Sequence, residues 1–401
     1  MRHISGAWQR TARGAGLLGS DGRPRPTIFA EMSAIASRTG AINLGQGFPD
    51  SDGPPEVLEA AQQAIAAGLN QYPPGRGTAE LCQAIASHQL RFYNLTLDPE
   101  TEVLVTAGAT EALAASILAL VGDDEAEVIV FEPFYDAYAG LVALSGARLV
   151  PVPLRWPDFQ PDLDELAAAV SARTRVIVVN DPHNPTGAVF SPQVREHIVR
   201  LAIEHDAVIV TDEVYEHLVF DGRHVPIASL PGAAERTLTI SSGGKTFATT
   251  GWKVGWVTGP RDLLDAVMTV KQYLTYSGGA PFQPAMAAGL SLPDAFFAEI
   301  AQTQGRRSAL LGTGLRDAGF AISAPAATYF TVADVSPLGS ASADDFCRRL
   351  PVAAGVVALP LSAFVSAEHR ARYATLVRFA ACRTDSVISE AMTRLGAAFA
   401  N

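Results

Sequence analysis

Two lysines that lie close together in the chain have the surroundings of reactive amines. They end the segments Ser242-Gly243-Gly244-Lys245 and Thr250-Gly251-Trp252-Lys253, which follow a predicted apolar strand. An amine that is buried beside a second cation has a lowered pKa and stays nucleophilic, so Lys245 is suited to form a Schiff base with an aldehyde. Lys253 is suited to neutralise a phosphate. For either lysine alone, an exposed position in a loop is an equally good interpretation, but the two lysines together favour a binding site.

Two other segments after predicted strands combine small or rigid residues with polar ones. Thr106-Ala107-Gly108-Ala109-Thr110-Glu111 joins a strand to a helix, whose free N–H groups at the N-terminus attract an anion. In Asn180-Asp181-Pro182-His183-Asn184-Pro185-Thr186-Gly187, two prolines and a glycine restrict the backbone and so position Asn184. Each segment by itself is equally well interpreted as an ordinary turn.

A carboxylate and a phenol complete this set of polar groups. Asp212 ends a predicted strand, and Tyr215 follows it closely. A buried carboxylate is costly without a cationic partner, which a protonated pyridine nitrogen or an ordinary lysine or arginine can supply. An amine for an aldehyde, a carboxylate for a ring nitrogen, Asn184 and Tyr215 for a ring oxygen, and a site for an anion together predict that the chain binds pyridoxal 5′-phosphate.

The elements that must position these groups are short strands alternating with helices. Seven segments of residues 103–258 are short and almost wholly apolar, which is typical of a mostly parallel sheet with both faces covered. Ligands of such sheets bind at the carboxyl ends of the strands, where the polar segments lie. After residue 260 helices dominate, and strands are predicted at 329–333, 355–359 and 375–381. We therefore predict an α/β fold: a large domain with a mostly parallel seven-stranded sheet covered by helices, plus a smaller α+β domain from the N- and C-terminal segments.

Four regions follow from this pattern. Residues 1–26 lack periodicity and are predicted to be a flexible N-terminal extension. Residues 27–55 are predicted to be an N-terminal arm and part of the small domain, residues 56–290 the large cofactor-binding domain, and residues 291–401 the small C-terminal domain.

Composition argues against several classes of partner. The chain has 401 residues and a formal net charge of −11, without a long basic run, so we expect neither nucleic acid nor a membrane as a partner. No apolar run reaches the length of about 18 residues that a membrane span needs. Cys82, Cys347 and Cys382 are widely spaced, which predicts neither a disulfide framework nor a metal site. A cytoplasmic location fits these observations.

From about Thr27 onward the chain resembles the fold-type I, class I/II aminotransferases. The motifs that carry the resemblance, in chain order, are Asn43-Leu44-Gly45-Gln46-Gly47-Phe48-Pro49, Gln71-Tyr72-Pro73, Asn184-Pro185-Thr186-Gly187, Asp212-Glu213-Val214-Tyr215, Ser242-Gly243-Gly244-Lys245 and Thr250-Gly251-Trp252-Lys253. The resemblance implies a pyridoxal-phosphate enzyme that moves an amino group from an L-amino acid to a 2-oxo acid such as 2-oxoglutarate, by a ping-pong mechanism. It also implies a homodimer with shared active sites.

The resemblance assigns a role to each matching residue. It implies that Lys245, Asp212 and Tyr215 are catalytic, with Lys245 as the Schiff-base lysine. The residues it implies for cofactor binding are Gly108, Ala109, Thr110, Phe134, Asn184, Ser242, Lys253 and, reaching the neighbouring subunit, Tyr72. In this assignment Phe134 stacks on the ring of the cofactor. Arg378, in an apolar strand, would bind the substrate α-carboxylate bidentately, and Gly47 and Asn184 would also contact the substrate.

Several substrates and activities fit the same motifs. Glu216-His217-Leu218-Val219-Phe220 and Gly278-Gly279-Ala280-Pro281-Phe282-Gln283-Pro284 are more similar to N-succinyldiaminopimelate aminotransferases. The segment Asn43-Leu44-Gly45-Gln46-Gly47-Phe48-Pro49-Asp50 is also similar to that of kynurenine/glutamine aminotransferases, which act as cysteine-conjugate β-lyases too. No arginine stands out in the sequence for a distal acidic group of the substrate. A non-catalytic module that senses pyridoxal phosphate is a remote alternative.

Overall fold

The structure, a computed structural model, describes residues 6–122 and 125–399. Its strands are β1 (Ile42–Asn43), β2 (Val103–Thr106), β3 (Glu127–Glu132), β4 (Arg148–Arg155), β5 (Gln160–Pro161), β6 (Thr174–Asn180), β7 (Val208–Asp212), β8 (Thr237–Ser242), β9 (Gly255–Thr258), β10 (Ala321–Ile322), β11 (Phe330–Asp334), β12 (Val356–Val357), β13 (Leu359–Pro360) and β14 (Leu376–Ala380).

The α-helices alternate with these strands in the first two thirds of the chain and dominate the last third. They are α1 (Ala7–Gly14), α2 (Ile28–Thr39), α3 (Pro55–Ala66), α4 (Ala79–Tyr93), α5 (Gly108–Leu120), α6 (Ala137–Ser145), α7 (Leu163–Ala169), α8 (Pro192–Glu204), α9 (Gly243–Thr246), α10 (Arg261–Lys271), α11 (Phe282–Leu290), α12 (Asp294–Asp317), α13 (Ala343–Ala353) and α14 (Asp385–Phe399). Of the helices described here, none combines the length and the apolarity needed to cross a bilayer.

The large sheet confirms the predicted α/β fold. Its strand order is β2-β9-β8-β7-β6-β3-β4-β5. Neighbouring strands from β8 to β4 are parallel, whereas β9 and β5 are antiparallel to their neighbours. All seven predicted strands are present, but the sheet has an eighth, β5, which the prediction missed. This strand has only two residues and ends in a proline, so it has no apolar run and can lie only at an edge.

The strand register brings the polar segments to one edge of the large sheet. Asn180 pairs with Asp212 where β6 and β7 end. Gly255, at the start of the antiparallel β9, pairs with Ser242 on one side and with Thr106 on the other. Because β2, β6, β7 and β8 run in the same direction, their carboxyl ends meet at this edge, as predicted.

A second, antiparallel sheet lies in the C-terminal part of the chain. Its order is β10-β11-β14-β13, and in it Arg378 of β14 pairs with Val332 of β11 and Leu359 of β13. The short β1 pairs with β12, so residues 42–43 join the C-terminal part of the chain. Helices α2, α12, α13 and α14 contact these strands. The sheet and these helices together form the mixture of strands and helices that is predicted for the smaller α+β region. The domain boundaries stay a prediction.

The predicted N-terminal extension is described from residue 6 onward, and residues 1–5 of it lie outside the described residues. Residues 7–14 form α1, which packs on α6. Arg10 donates from Nε to the carbonyl of Ala143 at 2.7 Å and from Nη2 to the carbonyl of Leu144 at 3.1 Å. A Cβ atom on Gly14 would lie 2.3 Å from the Cβ atom of Ala143, so the two helices are in close contact there. The sequence shows no apolar periodicity because an arginine on the last carbonyls of α6, rather than an apolar stripe, holds this helix.

We predict that Arg10→Ala and Gly14→Leu each release α1 from α6. The first removes both hydrogen bonds, and the second inserts a side chain where the helices are in contact. Hydrogen exchange of the amides of residues 7–14 should become at least about tenfold faster, with little change in the large sheet, because loss of charge-assisted hydrogen bonds costs on the order of 1.5–3 kcal/mol. Unchanged exchange in both variants would contradict the docking of α1.

Candidate active site

A cavity of about 210 Å³ lies at the carboxyl edge of the large sheet. Its lining includes nine of the residues that the sequence assigns to the cofactor: Gly108, Ala109, Thr110, Asn184, Asp212, Tyr215, Ser242, Lys245 and Lys253. Residues from β2 to β9 that are far apart in the chain therefore surround one volume. Gly47 and Arg378 do not line it, but each contacts a residue that does.

Lys245 lies at the boundary of this cavity with its amine held in place. Its Nζ donates to the carbonyl of Gly47 at 3.0 Å and lies 5.7 Å from the centre of the Tyr215 ring. Burial, together with the charges of Arg378 and Lys253, lowers the pKa of Lys245 to about 8 against the opposing effect of Cys382 and Asp212. At pH 7 roughly a tenth of this amine is therefore neutral and nucleophilic, a far larger fraction than in a lysine of ordinary pKa.

Asp212 is buried at the end of β7 and its orientation is fixed. The Tyr138 hydroxyl donates to its Oδ2 at 2.6 Å, and Asn180 Nδ2 donates to its backbone carbonyl at 2.8 Å. Burial raises the pKa of Asp212, although the hydrogen bond from Tyr138 acts in the opposite direction. Within the described residues no arginine or lysine forms an ion pair with Asp212. The cavity thus has a carboxylate that a cationic ring nitrogen would complete.

The start of α5, where an anion site is predicted, lines the same cavity. Gly108 has a φ of +75°, and a Cβ atom there would lie 3.1 Å from Cε and 3.2 Å from Nζ of Lys253. A side chain at this position would strain the backbone and displace the lysine, so only glycine allows the approach. The amides of Ala109 and Thr110 lie in the first turn of α5, where they have no partner within the helix. These donors and the ammonium of Lys253 suit a phosphate.

Arg378 is a fully buried cation beside the cavity. Its Nη1 donates to Asn184 Oδ1 at 3.1 Å and its Nη2 to the carbonyl of Gly45 at 2.5 Å. The rings of Phe330 and Phe364 lie 4.3 and 4.7 Å from its Cζ. Its Nε has no partner among the described residues. Burial lowers the pKa of Arg378 to about 10, so the guanidinium stays charged at neutral pH. A buried guanidinium with an unsatisfied N–H suits a carboxylate ligand.

The structure does not place Phe134 among the residues that line this cavity, so its role as the stacking residue stays a prediction. Phe134 is buried in an apolar cluster and its backbone N–H donates to the carbonyl of Phe364 at 2.7 Å. The adjacent Tyr135 lines the cavity instead. Adjacent side chains point in different directions, and the spacing of the motif does not decide which of the two faces a ligand. Tyr72 also lies outside the cavity, with 81% of its surface exposed and its ring 5.8 Å from that of Tyr276.

A buried polar cluster behind Tyr215 was missed in the sequence. His88 of α4 and His217 contact each other through their Nε2 atoms at 2.7 Å, and Glu216 accepts from Ser241 Oγ at 2.5 Å. Burial lowers the pKa of both imidazoles, that of His217 to about 3, so both are neutral and one donates to the other. Two nitrogen ligands of one zinc ion, each at about 2.0–2.1 Å, would lie roughly 3.3 Å apart. The distance therefore fits a hydrogen bond that supports the segment carrying Asp212 and Tyr215.

Lys245 also lines a second cavity, of about 470 Å³. Residues of α12 form part of its wall, among them Glu299 and Arg307, and the segment of residues 49–56 forms another part. Lys245 therefore lies between the polar cavity at the sheet edge and a wider space, which leaves room for a substrate to reach the amine.

We predict that Lys245 titrates near pH 8. Because the chain has only three lysines, mass spectrometry can follow the reductive methylation of each one separately. The rate at Lys245 should rise with pH as the ammonium loses its proton, reach half of its maximum near pH 8 and then level off, since burial lowers its pKa to about that value. In the Asp212→Asn variant, Lys245 should titrate at lower pH, because the variant lacks a carboxylate that stabilises the ammonium of Lys245. If Lys245 had a titration midpoint near pH 10.5 in both proteins, the result would contradict the burial of its amine beside Asp212.

Comparison with known proteins identifies the family. The profile of the family "Aminotransferase class I and II" matches residues 39–395. The chain is 51% identical over 379 residues to the probable N-succinyldiaminopimelate aminotransferase DapC of Mycobacterium tuberculosis, covering 92% of this chain and 95% of that protein. It is 36% identical over 392 residues to mouse kynurenine–oxoglutarate transaminase 3, covering 91% of this chain and 86% of that protein.

A solved structure agrees with these relatives. The structure of N-succinyldiaminopimelate aminotransferase from Mycobacterium tuberculosis superimposes with a TM-score of 0.91 at 49% sequence identity, and the match covers 99% of this chain and all of that one. The family match extends across both sheets and includes every residue that lines the cavity at the sheet edge. The chain therefore belongs to the class I and II aminotransferases and is an aminotransferase of fold type I.

Proposed function

We propose that this aminotransferase uses pyridoxal 5′-phosphate to transfer the amino group of an L-amino acid to 2-oxoglutarate by a ping-pong mechanism. The observation that carries the proposal is the amine of Lys245, whose pKa is about 8, in one cavity with a buried carboxylate and an anion site. When bound, pyridoxal phosphate supplies an aldehyde and an electron-withdrawing ring that stabilises negative charge on the substrate Cα.

The residues of the cavity fit this cofactor. Gly108, the first amides of α5, Ser242 and Lys253 would hold the phosphate, and Asp212 would pair with the ring nitrogen. Asn184 and Tyr215 would bind the ring oxygen. Burial raises the pKa of Tyr215, so its hydroxyl keeps its proton and can donate. Tyr135, which lines the cavity, would lie against the ring.

The side chains of the protein then perform three tasks in the reaction. Arg378 orients the substrate by binding its α-carboxylate with the N–H groups that the protein leaves available. Lys245, as a neutral amine, accepts the proton from the substrate Cα and, as an ammonium, returns it to another carbon. Its lowered pKa suits both the uptake and the return of the proton, because the neutral and charged forms of the amine are close in free energy near neutral pH.

For the amino donor we propose N-succinyldiaminopimelate. The identity of 51% with the mycobacterial protein of that name supports this choice over kynurenine, whose named transaminase relative is 36% identical. A substrate with a leaving group on Cβ could lose that group by β-elimination once Lys245 has taken the proton from Cα. Cysteine conjugates are therefore the alternative substrates.

We also propose a cytoplasmic homodimer with shared active sites. Tyr72, which the resemblance assigns to the site of the neighbouring subunit, belongs to an exposed apolar patch with Tyr273, Leu274 and Tyr276. The exposed fractions of Tyr72 and Tyr273 are 81% and 87%. Exposed apolar surface of this kind is typical of a subunit interface. The three cysteines are unpaired and buried, which fits a reducing compartment.

We predict that Lys245→Ala abolishes transamination, with a loss of at least about a thousandfold in kcat. The variant lacks both the nucleophilic amine and the group that moves the proton. The near-visible absorbance that pyridoxal phosphate acquires on binding should disappear as well. Lys271→Met, which changes a lysine that donates to the carbonyls of Gly75 and Tyr276 outside the cavity, tests whether loss of any lysine has this effect. Retained activity in Lys245→Ala would contradict the proposed role.

A panel of amino donors with 2-oxoglutarate as acceptor tests the substrate. We expect kcat/KM for N-succinyldiaminopimelate to exceed those for kynurenine, glutamine and methionine by at least about tenfold. Single-turnover spectra of the cofactor report each half-reaction, so a donor that completes only the first half can be recognised. Pyruvate and ammonia from cysteine conjugates, without dependence on an oxo acid, would favour the lyase instead.

A further inference from the structure

The N-terminal segment forms one wall of a third cavity, of about 530 Å³, which we call the N-terminal cavity. Its other walls come from α2, α6 and the segment around residues 363–370. Three arginines line it: Arg13, Arg25 and Arg370. This volume exists only because residues 7–26 fold back onto α6, so the interpretation of these residues as a flexible extension would not reveal it.

Backbone hydrogen bonds bring two of these arginines together. Arg13 lies in the last turn of α1. The chain then turns, with the N–H of Gly19 donating to the carbonyl of Arg23 at 2.8 Å. The N–H of Arg25 donates to the carbonyl of Leu17 at 2.7 Å, which closes the turn and returns the chain to the end of α1. The position of Arg25 beside this helix is therefore built into the backbone.

The charges of the N-terminal cavity are not balanced within the protein. Among the described residues, Arg13, Arg25 and Arg370 form no ion pair and no side-chain hydrogen bond. The acidic residues in the lining are Glu31 and Asp136, and Glu31 already pairs with Arg348 at 3.2 Å. Three exposed guanidinium groups without an ion pair therefore line one concave surface in a chain whose formal net charge is −11. Such a surface attracts an anion.

The cavity is adjacent to the position expected for the substrate α-carboxylate. Phe29 lines the cavity, and its ring centre lies 5.6 Å from Cζ of Arg378. Asp136, also in the lining, is close enough to Arg378 for their charges to interact. Phe134 and Asp136 flank Tyr135, which lines the cavity at the sheet edge. A donor bound to Arg378 thus has the N-terminal cavity on the far side of Phe29.

We propose that the N-terminal cavity binds a distal carboxylate of the amino donor through Arg13, Arg25 and Arg370. This inference rests on the proposed function and specifies the substrate class of that site: an L-amino acid with a long, anionic side chain. It supplies the arginines for a distal acidic group that do not stand out in the sequence. Planar guanidinium groups bind carboxylates bidentately, so they recognise the acid by geometry as well as by charge.

The other space next to Lys245 is less suited to an anion. Its one arginine, Arg307, already pairs with Asp385 at 2.9 Å. Asp52, Glu56 and Glu299 line the same space, and their negative charge opposes a second carboxylate. If the distal carboxylate binds in the N-terminal cavity, removal of Arg25 or Arg370 lowers the preference for an anionic donor. If it binds in the other space, removal of Arg307 lowers that preference instead.

The test measures kcat/KM for N-succinyldiaminopimelate, which has distal carboxylates, and for methionine, which has none. The variants are Arg25→Gln, Arg370→Gln and Arg307→Gln. Arg38→Gln, which changes an exposed arginine that lines none of these cavities, is the control for the loss of one positive charge. The ratio of the two kcat/KM values should fall about 5- to 20-fold in Arg25→Gln and in Arg370→Gln and stay constant in the other two. Higher ionic strength should reduce the ratio in the unmodified protein.

Other outcomes separate the inference from the proposed function. A ratio that stays constant in Arg25→Gln and Arg370→Gln, or that falls only in Arg307→Gln, would overturn the inference while leaving the aminotransferase reaction intact. Absence of turnover with both donors in the unmodified protein would instead count against the proposed donor. Hydrogen exchange of residues 7–14 in Arg25→Gln shows whether α1 stays docked, and Arg370→Gln, in another part of the chain, tests the cavity without changing that segment.

Discussion

The arrangement of the site depends on keeping charged groups away from water without neutralising them. Arg378 is 1% exposed, and a guanidinium in such a place destabilises the fold unless hydrogen bonds compensate it. Its partners come from two separate segments, Asn184 after β6 and Gly45 after β1, while the arginine itself lies on β14. One buried cation therefore joins the large sheet, the N-terminal region and the second sheet. The N–H that these partners leave unsatisfied is the one available to a ligand.

Lys245 and Asp212 lie at the edge of the large sheet and differ in this respect from Arg378, which stays charged. Asp212 is buried and Lys245 is partly buried, and burial moves the pKa of each toward the neutral form. The parallel strands make this possible because their apolar residues fill both faces of the sheet and leave polar groups only where the strands end. The antiparallel β9 brings Lys253 to the same edge. A site of this kind is stabilised by the ligand that it is built to bind, because the ligand supplies the missing charges.

The N-terminal segment shows how a few polar contacts can organise a region without a core of its own. Arg10 binds the last carbonyls of α6, and Gly14 lets the two helices touch. These contacts place Arg13 and Arg25 around a concave surface close to Phe29. Surfaces that are held by few apolar contacts are also those that can vary without disturbing the fold. Substrate choice can thus depend on residues that are remote from the reactive lysine in sequence.

The sequence by itself predicted the α/β fold, the family and nine of the residues that line the cavity at the sheet edge, because apolar strands and the polar segments that follow them have a local pattern. Only the tertiary structure shows that Tyr135 lines this cavity and Phe134 does not, since adjacent positions in a loop have no periodicity that fixes which side chain faces a cavity. The contact of His88 with His217 joins residues of two distant segments, and no local signal marks it. The docking of α1 rests on one arginine and one glycine rather than on an apolar stripe. For that reason the cavity that it forms with Arg370 could be found only once the chain was folded.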